Sequence, residues 1–83
     1  MRIDDYLSTV GLIKRRTIAK QLADSSMIAV NGRTVKASYQ IKINDIITIK
    51  GSRGKSAEVI DIPSGSIPKS EREKYFKDIL MSQ

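Results

Sequence analysis

An α+β fold is predicted for this 83-residue sequence: two N-terminal helices packed on a small, mostly antiparallel sheet, followed by a short C-terminal helix. Three observations lead there. Two apolar stripes of helical period lie in the first third of the chain, an Asn-Gly pair sits between two short β-branched runs, and a further apolar stripe follows a stretch rich in Pro, Gly and Ser.

The first stripe is Ile3, Tyr6, Leu7 and Val10, at i, i+3, i+4 and i+7. Asp4 and Asp5 suit the positive N-terminal end of that helix, and Gly11 marks its stop. A second helix is expected from about Lys14 to Asp24, with Ile18 and Leu22 one turn apart and Ala19 and Ala23 beside them. The connection is so short that the two helices must pack at an angle. Ile28-Ala29-Val30 and Arg33-Thr34-Val35 flank Asn31-Gly32, the pair best suited to the positive φ angles of a two-residue hairpin. Asn44-Asp45 makes a turn before the strand Ile46-Ile47-Thr48-Ile49. Ala57 to Ile62 reads as another strand after the loop Gly51 to Ser56, so one domain is expected over residues 1–62. Residues 63–83 are expected to hold a linker, Pro63 to Pro68, and a C-terminal helix. Ser70 and Glu73 have capping-box spacing there, and Tyr75, Phe76, Ile79 and Leu80 form the stripe.

Composition narrows the function. Fifteen Lys and Arg against nine Asp and Glu leave a net charge of +6. Residues 1–42 carry +5 of it: Arg2, Lys14, Arg15, Arg16, Lys20, Arg33, Lys36 and Lys42 against Asp4, Asp5 and Asp24. Such a balance points either to a polyanionic partner or to solubility alone. The chain has no Cys and no His, which leaves neither a nucleophile–imidazole pair nor a thiolate metal site, so no enzyme and no cofactor are expected. Gly54-Lys55-Ser56 looks like the end of a phosphate-binding loop, but the glycine that loop requires is Ile49. Asp4 and Asp5 are adjacent on a helix and diverge, which argues against shared acid–base work; Asp4 is free to orient a nearby Arg. The N-terminus lacks a secretory apolar core and the Ile46 to Ile49 run is too short to span a bilayer, so a cytoplasmic location away from membranes is expected.

The sharpest local feature is Lys14-Arg15-Arg16, three positive charges at the positive end of a helix dipole. Folding alone does not favour that placement, and a site that breaks a local rule is a functional candidate. Guanidinium forks and exposed backbone N–H groups there would bind phosphate oxygens. Lys20 extends the same face and Arg2 reaches it from the neighbouring helix start. Arg33 and Lys36 offer a second basic edge, with Asn31 and Ser38 as neutral donors; ordinary edge-strand polarity is the competing reading. Arg53 and Lys55 have a weaker claim from their Gly/Ser loop. Aromatics are few (Tyr6, Tyr39, Tyr75, Phe76) and mostly on core stripes, so recognition of folded RNA by shape and phosphates fits better than stacking on single strands. A DNA-binding helix–turn–helix stays open at this point, as does a protein adaptor built on the C-terminal helix.

Positions 2 to 49 resemble the alpha-L RNA-binding domain named after small-subunit ribosomal protein four. The matching residues are Arg2-Ile3-Asp4 with Leu7, then Arg16, Ala19 and Leu22, then Ile28 to Gly32, Val35, Ser38 and Asp45-Ile46. Two positions depart from the family: its glycine before the hairpin is Ser26, and its Gly-Asp turn is Asn44-Asp45. The short length, the Lys14 to Thr17 run and the tail around Tyr75 look like the free-standing subgroup that contains RqcP and bacterial heat-shock protein fifteen. This resemblance implies RNA contacts by Arg2, Arg15 and Arg16 with Asp4 beside them. It implies as partners 23S rRNA and peptidyl-tRNA on an obstructed large ribosomal subunit, and an alanine-tailing quality-control protein. A ribosome-assembly or general rRNA-binding role is the alternative it leaves. Separately from the resemblance, a monomer is expected.

Overall fold

The computed structural model describes residues 1–51 and 54–79. Arg53, given a weak claim above, and Leu80 of the expected C-terminal stripe lie outside the described residues. Helix α1 spans Ile3–Thr9 and α2 spans Arg16–Asp24. The strands are β1 (Ile28–Val30), β2 (Arg33–Thr34), β3 (Ile46–Ile49), β4 (Lys55–Val59) and β5 (Phe76–Ile79), with a 3-10 helix at Lys69–Lys74. The sheet runs β2-β1-β3-β4-β5 with every neighbouring pair antiparallel.

The α1 stripe is buried as expected: Ile3, Tyr6, Leu7 and Val10 meet Ile28 and Val30 of β1, Ile47 of β3, and Ala57 and Val59 of β4 in one core. In α2 the buried positions are Ala19 and Ala23, whereas Ile18 is exposed and Leu22 half-buried. Small side chains let α2 lie close on the core, and Ile18 is rotated out. The helix also begins later than the sequence suggests. Lys14 precedes it, and Arg15 is its N-cap in an extended conformation.

Turn chemistry holds. Asn31 (φ 52°) and Gly32 (φ 87°) supply the two positive φ angles of the hairpin, and Asn44 (φ 77°) turns the chain into β3. α2 ends with Ser26 at φ 60°; Ser26 N donates to Ala23 O and Met27 N to Leu22 O at 2.9 Å, the paired bonds of a Schellman cap.

The C-terminal region departs from the expected helix. The helix is a single 3-10 segment, its N-cap is Pro68 with no side-chain capping bond, and so Ser70 and Glu73 form no capping box. Tyr75 and Phe76 lie beyond it and Phe76–Ile79 pair with β4, in the register Val59↔Phe76 to Ser56↔Ile79. β4 otherwise presents a row of unpaired backbone groups, and the returning chain covers it. Tyr75 O is the fastening point: it accepts Tyr6 Oη (2.7 Å), Ile60 N (2.9 Å) and Asp61 N (3.2 Å). Those last two bonds also explain why β4 stops at Val59 rather than Ile62. Beyond Ile46↔Glu58 the pairing ends with Val59, whose N donates to Asp45 O (2.9 Å) and whose O accepts Asn44 N (2.8 Å), and the chain then turns to meet Tyr75.

Candidate nucleic-acid interface

The start of α1 is stitched to segment 36–41. Ile3 N donates to Tyr39 O (2.7 Å), Asp4 N to Ala37 O (3.3 Å) and Ile41 N to Met1 O (3.0 Å). Arg2 pairs with Gln40 as an isolated antiparallel bridge, and the terminal ammonium donates to Gln40 Oε1. Lys36 and Ser38, both exposed, are thereby placed beside the first turn of α1.

Asp4 is the hub of the surface. Its side chain is 2 % exposed, and its Oδ1 accepts the Asp5 N–H at 2.7 Å. Its Oδ2 receives two guanidinium groups: Arg2 Nη2 at 3.2 Å and Arg16 Nε at 3.5 Å. Arg2 caps α1 and Arg16 opens α2, so one buried carboxylate ties together side chains from two elements. The arginines remain 41 % and 51 % exposed, and each gives a single nitrogen to Asp4. A guanidinium carries five N–H donors; Arg2 Nε is buried, and the Nη donors that Asp4 does not take on either arginine are left for an external anion in a fixed orientation.

Around this hub lie further positive groups. Lys20 follows Arg16 by one turn on the same face of α2, and Lys14 and Arg15 precede the helix; all three are exposed. Among the described residues no ion pair involves Lys14, Arg15, Lys20, Arg33 or Lys36. α2 has no acidic residue in its first turn and no side-chain cap, so the backbone donors of that turn add to the positive potential of Arg15 and Arg16. Arg33 is exposed on the edge strand β2 and forms no hydrogen bond or ion pair with the Asp4 cluster.

Asn31, expected as a neutral donor, is exposed on the hairpin, and its side chain also serves the fold: Nδ2 donates to Asp45 Oδ1 (3.1 Å) and Oδ1 accepts Ile46 N (3.0 Å). Asp45, buried, also accepts Tyr39 Oη (3.0 Å) and Lys42 N (2.9 Å) through Oδ2. Burial and this bond to Asp45 hold the Tyr39 phenol above its ordinary pKa. The network pins the hairpin to β3. Tyr39, Tyr75 and Phe76 pack against the core that encloses Tyr6, so the aromatics serve the fold rather than an exposed stacking platform.

Comparison with known proteins gives the family and the fold. A family profile described as the S4 domain matches residues 1–47, more than half of the chain, and takes in the Asp4 hub, both helices and the hairpin. The chain belongs to the S4-domain family. Among S4-domain relatives, the RQC P-site tRNA stabilizing factor of Helicobacter pylori is 32 % identical over 78 residues, covering 92 % of this chain and 93 % of that protein. The factor of the same name from Streptococcus pneumoniae is 48 % identical over 50 residues, 60 % of this chain; the match spans only 57 % of that relative's length. The trimeric structure of Vibrio cholerae heat shock protein 15 superposes with a TM-score of 0.86 over 95 % of this chain and 81 % of that one. At 21 % identity this last likeness shows the shared fold.

Sequence reasoning placed Arg2, Asp4 and Arg16 in one neighbourhood, and the structure joins them through a single oxygen. It passed over Arg72, whose side chain lies against Gly11. No local signal could have found it, because the contact forms only when the C-terminal segment folds back.

Proposed function

We propose that this chain is a non-enzymatic RNA-binding factor of bacterial ribosome quality control, acting as a cytoplasmic monomer on large ribosomal subunits that retain peptidyl-tRNA. The observation that carries the proposal is the pair of half-exposed arginines, Arg2 and Arg16, pre-oriented by buried Asp4 beside the uncapped start of α2. Such a surface recognises phosphates held at fixed spacing by a folded RNA, since rigid cations lose little on binding and counterion release favours the complex. The names of the relatives point to the P-site tRNA as one of the RNAs, and 23S rRNA is the neighbouring structured surface on the same particle. Arg15, Lys14 and Lys20 extend the contact along α2, with Lys36 and Ser38 beside α1 and Arg33 further along the hairpin. By holding tRNA on the subunit, the factor would support alanine tailing by a partner protein.

Sedimentation of lysates from cells with stalled translation tests this. The protein is expected in large-subunit fractions that contain tRNA. Recovery only from ribosome-free fractions would refute the proposal, and enrichment with immature subunits lacking tRNA would replace it with an assembly role.

A further inference from the structure

We infer that Arg72, from the C-terminal segment, is a further phosphate-binding residue of this protein. The inference rests on the RNA-binding reading above and extends its surface beyond the S4-domain match at residues 1–47.

Three observations bring Arg72 forward. A Cβ placed on Gly11 would lie 2.9 Å from Arg72 Nη1 and 3.2 Å from its Cδ, so the stem and the head of the arginine lie directly over that glycine. Gly11 stands at φ +80°, ends α1, and leads through Leu12 and Ile13 to Lys14 and Arg15, so Arg72 flanks the loop that opens into the basic start of α2. Its acids are otherwise engaged or turned away. In a 3-10 helix, side chains three apart are eclipsed, so Lys74 stands over Glu71 and takes it at 3.0 Å, while Glu73 lies on another row. Among the described residues Arg72 makes no ion pair, and its Nε is buried without a hydrogen-bond acceptor.

A desolvated guanidinium N–H without an acceptor is unfavourable for folding, and an Arg that merely solubilised the surface would extend into water. Here the chain instead lays the side chain flat on a residue without a side chain. Lys69 shares its row one turn earlier and is exposed. The ligand that fits is an RNA phosphate, which accepts N–H bonds from the Nη groups of the guanidinium, the buried Nε taking no part, and supplies the missing negative charge. One RNA strand bound at Arg15 would then be held at its next phosphates by the C-terminal segment.

The test is binding of fluorescently labelled protein to purified large ribosomal subunits carrying tRNA, titrated with salt at fixed magnesium, for wild type, Arg72→Gln, Arg72→Lys and Arg16→Ala. Arg72→Gln keeps the packing stem and is expected to bind about three- to tenfold more weakly, with the slope of log affinity against log salt reduced by about 1 and an unchanged melting temperature. Arg72→Lys is expected to keep the wild-type slope. Wild-type affinity and slope for Arg72→Gln, alongside a loss for Arg16→Ala, would overturn the role of Arg72 and leave the interface reading standing. Wild-type binding by both variants would overturn that reading as well. A lowered melting temperature with an unchanged slope would assign Arg72 to the fold alone.

Discussion

Asp4 does two jobs with two oxygens. Oδ1 takes the Asp5 N–H, satisfying an orphan donor of the first turn, and Oδ2 gathers Arg2 and Arg16. Arg16→Ala removes one partly exposed partner while Arg2 and the Asp5 N–H remain, so it should lower stability by no more than about 1 kcal/mol and reduce subunit binding clearly. Urea unfolding beside a binding titration checks the split; loss of the fold would mean that Arg16 is structural. Asp4→Asn keeps the acceptor oxygen but releases both guanidinium groups, and should weaken binding even though it removes a negative charge from a basic surface. Tighter binding would show that simple charge, not orientation, governs the site. Tyr6 gives a pH signature. Burial, reinforced by Asp61, raises its phenol well above the ordinary value of 10. The unfolded chain therefore loses this proton first, and the stabilisation is present below pH 10 and declines as pH rises above it. Tyr6→Phe should cost about 1 kcal/mol at neutral pH through the lost bond to Tyr75 O, and should flatten that alkaline decline. An identical alkaline slope in the variant would remove Tyr6 from the explanation.

Helix α2 shows what sequence can and cannot fix within an element. Its period was legible, and so was its basic start, but Ile18 and Ala19 both satisfy a 3.6-residue spacing. Only the packing distance decided that the alanines turn inward. Its C-terminal end holds a conflict: Ser26 occupies the left-handed position of a Schellman cap, where a side chain is strained by about 1–2 kcal/mol. Ser26→Gly should raise stability by about 0.5–1 kcal/mol after the greater freedom of glycine in the unfolded chain is deducted. Thermal unfolding measures this, and a destabilised variant would mean that the serine hydroxyl contributes more than the strain removes. The hairpin was readable because Asn31-Gly32 is a local signal. The C-terminal strand was not. Tyr75, Phe76 and Ile79 match a helical stripe as well as any, and the groups that drew Phe76 and Ile79 into β5 and fastened Tyr75 before it were the open edge of β4 and the Tyr6 hydroxyl, both distant in sequence.

At the scale of the molecule, the C-terminal return makes the sheet five strands wide and fastens it to α1 through Tyr6 and Tyr75. Truncation after Pro68 should therefore lower the melting temperature substantially rather than trim a tail, and an unchanged melt would contradict the fastening seen here. Much of the binding surface was legible as residue types and as a family resemblance, since Arg2, Asp4 and Arg16 lie near helix starts. Its convergence on one carboxylate oxygen, the structural use of Asn31 and the approach of Arg72 to Gly11 all depend on segments that meet only after folding. The most direct measurement is a cryo-electron microscopy map of the protein on a large ribosomal subunit carrying tRNA. The guanidinium groups of Arg2 and Arg16 should both lie within hydrogen-bond distance of RNA phosphates while still touching Asp4. A bound protein that turns this face to solvent and meets the RNA through another surface would contradict the account.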